Sequence, residues 1–148
     1  MGDSRKNTLS NLKKTWHKID GLYDFYAKSV GLNFASIIIL QLLSDSGETY
    51  TQKDLGEKLG LPKQFVNSVI TSFWERGFVE LMQARDRRNK EIIITDDGRE
   101  YAAKILKPLE EAERAAWGCF SDEELAQLVD TLNRYTNAFN EAMKDPRE

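Results

Sequence analysis

One cysteine, one histidine and three prolines are all that 148 residues contain of those types, and each scarcity excludes something. The single thiol, Cys119, rules out an internal disulfide and a cysteine-rich metal cluster. The single histidine, His17, sits among Lys13, Lys14 and Lys18, with no nucleophile and no metal-ligand spacing around it. Glycine loops of the phosphate-cradling kind are missing, and Glu110, Glu111 and Glu113 read as one solvated helix face. No catalytic residue, metal or cofactor is therefore expected, and the chain does not read as an enzyme. Long apolar runs are missing too. The longest, residues 34–43, contains Ser36 and Gln41 and is far too short to span a bilayer. Without a basic, apolar, small-residue signal at its start, the expectation is a cytoplasmic protein with no membrane partner. Neither internal repeats nor low-complexity segments occur. A hydrophobic content of 41% and a charged content of 30% are ordinary for one globular domain with a core of its own.

What is present is an uneven charge. The formal net charge is −3, yet residues 84–90 hold Arg85, Arg87, Arg88 and Lys90 against the single acid Asp86, a local +3. Residues 1–30 carry a net +3 and residues 100–148 a net −5. Two short β-like runs, residues 78–82 and 91–94, flank the basic tip and predict a hairpin. A projecting cluster of cations on an acidic protein implies an anionic partner. Duplex DNA fits, since releasing its counterions supplies most of non-specific affinity. The acidic C-terminal part would be repelled, so docking falls to the centre of the chain.

Ahead of the hairpin the residues spell two short helices. Thr51 with Asp54 three residues on is close to a capping signature, Leu55 and Leu59 share a face, and Gly60 ends the helix. Pro62 suits the first turn of a second helix. In it Phe65, Val66, Val69, Ile70 and Phe73 fall at helical spacing and are expected to bury. Lys63, Gln64, Asn67, Ser68 and Thr71 fall on the other side, a polar face without an acid. Asn and Gln pair bidentately with adenine, Lys pairs with guanine, and Thr touches a thymine methyl. Gly77 separates this helix from the hairpin. Helix, turn, helix, strand, basic tip and strand in this order describe a winged helix that binds DNA.

The flanks look like dimerisation helices. Leu9, Leu12, Trp16, Ile19, Tyr23, Tyr26 and Val30 recur at threes and fours before Gly31, and Asn33 is placed to cap the next helix. Thr95 is placed to open a long helix with Tyr101, Ile105, Leu109, Ala112 and Ala116 on one face, which Pro108 should kink. Ser121 and Glu124 form a further capping box before Leu125, Leu128, Leu132, Tyr135 and Phe139. One small winged helix cannot absorb three such stripes, so a two-fold homodimer on a palindromic site is expected. The fold class is mainly α with a small antiparallel β wing. The winged-helix lobe spans residues 33–98, and dimerisation helices span 1–30 and 99–143, within one domain of 1–148.

Over about residues 9–139 the chain resembles the MarR family (multiple antibiotic resistance regulators), dimeric winged-helix transcription factors. The resemblance rests on Leu55, Leu59 and Gly60, on PKQFVNS and Gly77, on Asp86, Arg87 and Arg88, and on IIIT at 92–95 with Gly98. It implies that Arg88 enters a minor groove with Arg87 beside it and Asp86 orienting it, while Arg85 and Lys90 contact the backbone. Many members carry an earlier wing acid where this chain has Gln83, and a serine where it has Pro62, so the contacts of those residues do not carry over. The family also implies a repressor released by a small aromatic or phenolic ligand in a crevice. Trp16, Tyr23, Tyr26 and Phe34 are the candidate lining, although aromatics at helical spacing equally form core. Oxidant-sensing relatives carry their thiol in the N-terminal helix. Cys119, between Gly118 and Phe120, reads instead as a small buried hydrophobe. The alternative from another class is a winged helix used for protein contacts, as a scaffold or anti-activator without specific DNA binding.

Overall fold

A computed structural model describes residues 2–45, 47–83 and 89–144. The elements run α1 (Asp3–Ser29), α2 (Phe34–Asp45), β1 (Tyr50–Thr51), α3 (Gln52–Leu59), α4 (Lys63–Glu75), β2 (Val79–Gln83), β3 (Lys90–Ile94), α5 (Asp96–Trp117) and α6 (Asp122–Met143). The chain divides into two compact units, residues 1–109 and 110–148. The architecture is the expected one, mainly helical with a small antiparallel sheet. No single helix among the described residues is long and apolar enough to cross a membrane.

In the first unit the core lies among α2, α3, α4, the sheet and the first turns of α5. Leu40, Leu55, Ile70, Phe73, Ile92 and Leu106 are all almost fully buried there. Each such side chain contributes about 1.5–3 kcal/mol of apolar burial. The helices start where local chemistry stops the backbone from wasting donors. The Asn33 side chain accepts from the Ser36 N–H at 2.8 Å. Thr51 accepts from the Asp54 N–H at 3.1 Å while Asp54 accepts from the Thr51 N–H at 2.9 Å, a complete capping box. Gly60, at φ 65°, closes α3 in the left-handed conformation. Thr95 caps α5 by accepting from the Gly98 N–H at 3.0 Å.

The sheet has the order β1-β3-β2, antiparallel throughout. Val79 pairs with Ile94 and Gln83 with Lys90, so β2 lies one residue later than expected and β3 begins one residue earlier, ending at Ile94 as expected. The third strand, β1, pairs Tyr50 with Ile92 and Thr51 with Glu91. It had no signature in the sequence. Pro62 stands just before α4 as its N-cap residue, not within its first turn. Pro108 lies inside α5, which continues through it to Trp117. The proline leaves Lys104 without its intrahelical donor. One residue further along, the Ile105 carbonyl accepts the Tyr26 hydroxyl, which ties α1 to α5.

The second unit comprises the last turns of α5, a turn and α6. Ser121 and Glu124 form the expected capping box, with distances of 2.8 and 3.1 Å. Trp117 packs on Phe120, and Tyr135 stacks on Phe139 at 5.8 Å. Cys119 is exposed, which corrects the expectation of a buried thiol. It falls on the turn after α5, where helical packing no longer encloses a side chain.

Candidate nucleic-acid interface

The rotation of α4 is set by four buried residues, Val66, Val69, Ile70 and Phe73. Gly56 of α3 lies against the Leu61 carbonyl and Val66, which brings the two helices into a tight turn. With that stripe fixed inward, Lys63, Gln64, Asn67, Ser68 and Thr71 are all exposed, as helical periodicity predicts. Phe65 departs from expectation. It is 56% exposed, because the core closes over Val66 and leaves the flank one residue earlier open. Trp74, at the far end of α4, is 56% exposed as well. From Lys63 to Trp74 the helix has one base and no acid.

At the base of the wing, Lys90 opens β3 and is exposed. Arg85, Asp86, Arg87 and Arg88 lie outside the described residues. A cleft of about 760 Å³ separates α3 and the start of α4 from the wing strands. Lys53, Lys63 and Lys90 line it with Glu57, Gln52 and Asn89, over Leu61 and Leu81. The structure thus brings cations from three separate elements, α3, α4 and β3, to one opening. Lys53 and Gln52 were not singled out from the sequence. Their only signal was that they precede Leu55 on the exposed side of a short amphipathic helix.

The joint behind this surface is tightly made. The Phe78 N–H donates to the Phe73 carbonyl at 2.8 Å, and the Phe78 carbonyl accepts from the Thr95 N–H at 3.0 Å. The Thr95 hydroxyl donates to the Gly77 carbonyl at 2.7 Å. Phe78 and Tyr101 stack at 4.2 Å, and the Arg76 guanidinium lies 4.7 Å from both ring centres. The end of α4, the start of the wing and the start of α5 therefore meet at a single knot of contacts.

Two titratable groups stand out among the described residues. The Thr51 backbone N–H beside Asp54 holds that carboxyl below the usual carboxylate range. Partial burial opposes this, and the Thr51 hydroxyl, Lys58 and Lys53 reinforce it. Burial pushes the Tyr26 phenol up. Of the candidate ligand residues, Tyr23 and Phe34 meet edge to face at 6.3 Å, and Tyr26 is engaged with Ile105. Trp16 lies earlier on α1, on an exposed face. None of the four lines the cleft beside the wing.

These features define a winged helix-turn-helix with an uncovered recognition helix. Residues 30–89 match the model of the MarR family. The chain has the winged-helix fold of MarR-family regulators. It is similar to NMB1585, a MarR family regulator from Neisseria meningitidis, at 25% identity and a TM-score of 0.79, over 92% of this chain and 96% of that one. It is also similar to AbsC from Streptomyces coelicolor at 19% identity and a TM-score of 0.76, over 95% and 97% of the two chains. MepR of S. aureus, in a complex with DNA, aligns at 18% identity and a TM-score of 0.67, over 88% and 96%. No curated protein sequence matches the chain.

Proposed function

We propose that the protein is a homodimeric transcriptional regulator that binds a palindromic DNA operator and represses until a small aromatic or phenolic ligand releases it. The observation that carries this is the α4 surface. Four buried apolar residues lock the helix, and Lys63, Gln64, Asn67, Ser68 and Thr71 stand exposed together without an acid among them. Lys53 and Lys90 flank this surface at the cleft and supply phosphate contacts. Arg85, Arg87 and Arg88, with Asp86 orienting, extend it along the backbone and into the minor groove. The S. aureus relative, in a complex with DNA, lends support through a shared fold. For ligand release, Tyr23 and Phe34 offer an aromatic corner between α1 and α2, with Trp16 and Tyr26 on the same helix.

The test is a selection from random duplex DNA with the purified protein, followed by titration of the enriched site at two salt concentrations. A palindrome with half-sites about one helical turn apart, bound at least about a thousandfold more tightly than random duplex, is the expected outcome. Binding that is weak, salt-sensitive and indifferent to sequence would refute operator recognition and leave the wing's cations to an acidic protein partner.

A further inference from the structure

Phe65 has no place in the functions assigned so far. It sits in the first turn of α4, where its N–H donates to the Pro62 carbonyl at 3.0 Å, and its ring is 56% exposed. It cannot turn inward, because Val66, Val69, Ile70 and Phe73 already fill the inner face of the helix. Its neighbours Lys63, Gln64 and Ser68 are polar and exposed. An aromatic residue more than half exposed among polar neighbours leaves apolar surface in water in the isolated chain. Resting on the DNA-binding proposal above, the cost is offset when something apolar covers the ring.

We infer that Phe65 is a specificity-determining residue that packs on the C5-methyl group of a thymine in each half-site. The N-terminal residues of a recognition helix reach base edges in the major groove. A phenyl ring has no hydrogen-bonding group, so it is blind to the donors and acceptors of that groove. The thymine methyl is the apolar feature the groove displays. Helical geometry places Phe65, Ser68 and Ser72 along one flank of α4, with Gln64 and Thr71 nearer the middle of the exposed face. The thymine recognised by Phe65 therefore lies beside the base pair contacted by Gln64.

The test replaces each thymine of the selected site in turn with deoxyuridine, which removes the methyl and nothing else. For the wild-type protein one position per half-site should lose about fourfold in affinity, the effect of burying one methyl. Phe65→Ala should bind thymine and deoxyuridine equally there, and Phe65→Leu should retain part of the discrimination. Phe65 is exposed, so the variants should keep the wild-type circular dichroism and melting temperature. A tightly bound palindrome with no methyl-sensitive thymine, or with sensitivity that survives Phe65→Ala, would overturn the inference and leave operator recognition standing. Failure to enrich any site would remove both.

Discussion

A methyl group added at Gly98 would stand 2.1 Å from the Phe78 carbonyl oxygen and 2.9 Å from an Ile94 side-chain carbon. The carbonyl cannot retreat, since it already accepts from the Thr95 N–H. Gly98→Ala should therefore cost about 3 kcal/mol, at the upper end of overpacking, and urea titration of the two proteins measures it. A loss below about 0.5 kcal/mol would mean that the α5 start is looser than the contacts describe. The same scale shows where sequence reasoning stops. Periodicity places Phe65 with Val69, four residues on, yet only packing decides how far a buried stripe extends at its edges. Phe65 fell outside it, and Cys119 fell outside any core at all. By contrast, Lys63, Gln64, Asn67, Ser68 and Thr71 were legible because helical phase alone separates them from the four buried neighbours.

At the scale of elements, the helix starts were readable because capping is local. Thr51, Asn33, Thr95 and Ser121 each act within three residues of sequence. The α3 cap also sets a pH dependence. Asp54 has its folded pKa lowered, so its contribution is present above the ordinary carboxylate range and is lost as pH falls through that range toward the folded value. Asp54→Asn keeps an acceptor for the Thr51 N–H but cannot titrate. Its loss of stability between pH 7 and pH 3 should be smaller than that of the wild type, judged from urea midpoints. Equal losses would assign the acid sensitivity to other carboxylates. The strand β1 was not readable. Two residues carry no periodicity, and the strand exists only through Ile92 and Glu91, some forty residues later. The wing strands were readable to within one residue, because apolar runs and the intervening basic tip bracket them.

For the whole molecule, the faces left uncovered carry the argument for a second copy. Along α1, Leu9, Leu12, Trp16 and Ile19 form one exposed apolar strip, and Leu22 and Phe25, 70% and 77% exposed, lie on a second. On α6, Leu128, Leu132, Tyr135 and Phe139 are exposed too. Sequence reading found both stripes but took Tyr23 and Tyr26 into the outer one. Those two face α2 and α5 within their own unit. Leu22 and Phe25 belong to a second apolar side of the same helix, which the stripe read from the sequence did not include. Leu22→Glu with Phe25→Glu should weaken self-association by about a hundredfold or more. Sedimentation velocity would then show monomers at concentrations where the wild type is dimeric, with helical content retained. A wild type that sediments as a monomer throughout would refute the homodimer.

The two-residue strand has one more consequence. Thr51 pairs with Glu91 in the sheet and also opens α3 through its hydroxyl. Sheet register and helical phase are thus fixed by the same residue, with no spacer to absorb a mismatch. Inserting or deleting a single amino acid here would flip Tyr50 out of the core or rotate α3 by about 100°. The length of this corner is therefore held as tightly as the Thr51 cap and the buried Tyr50 that it joins.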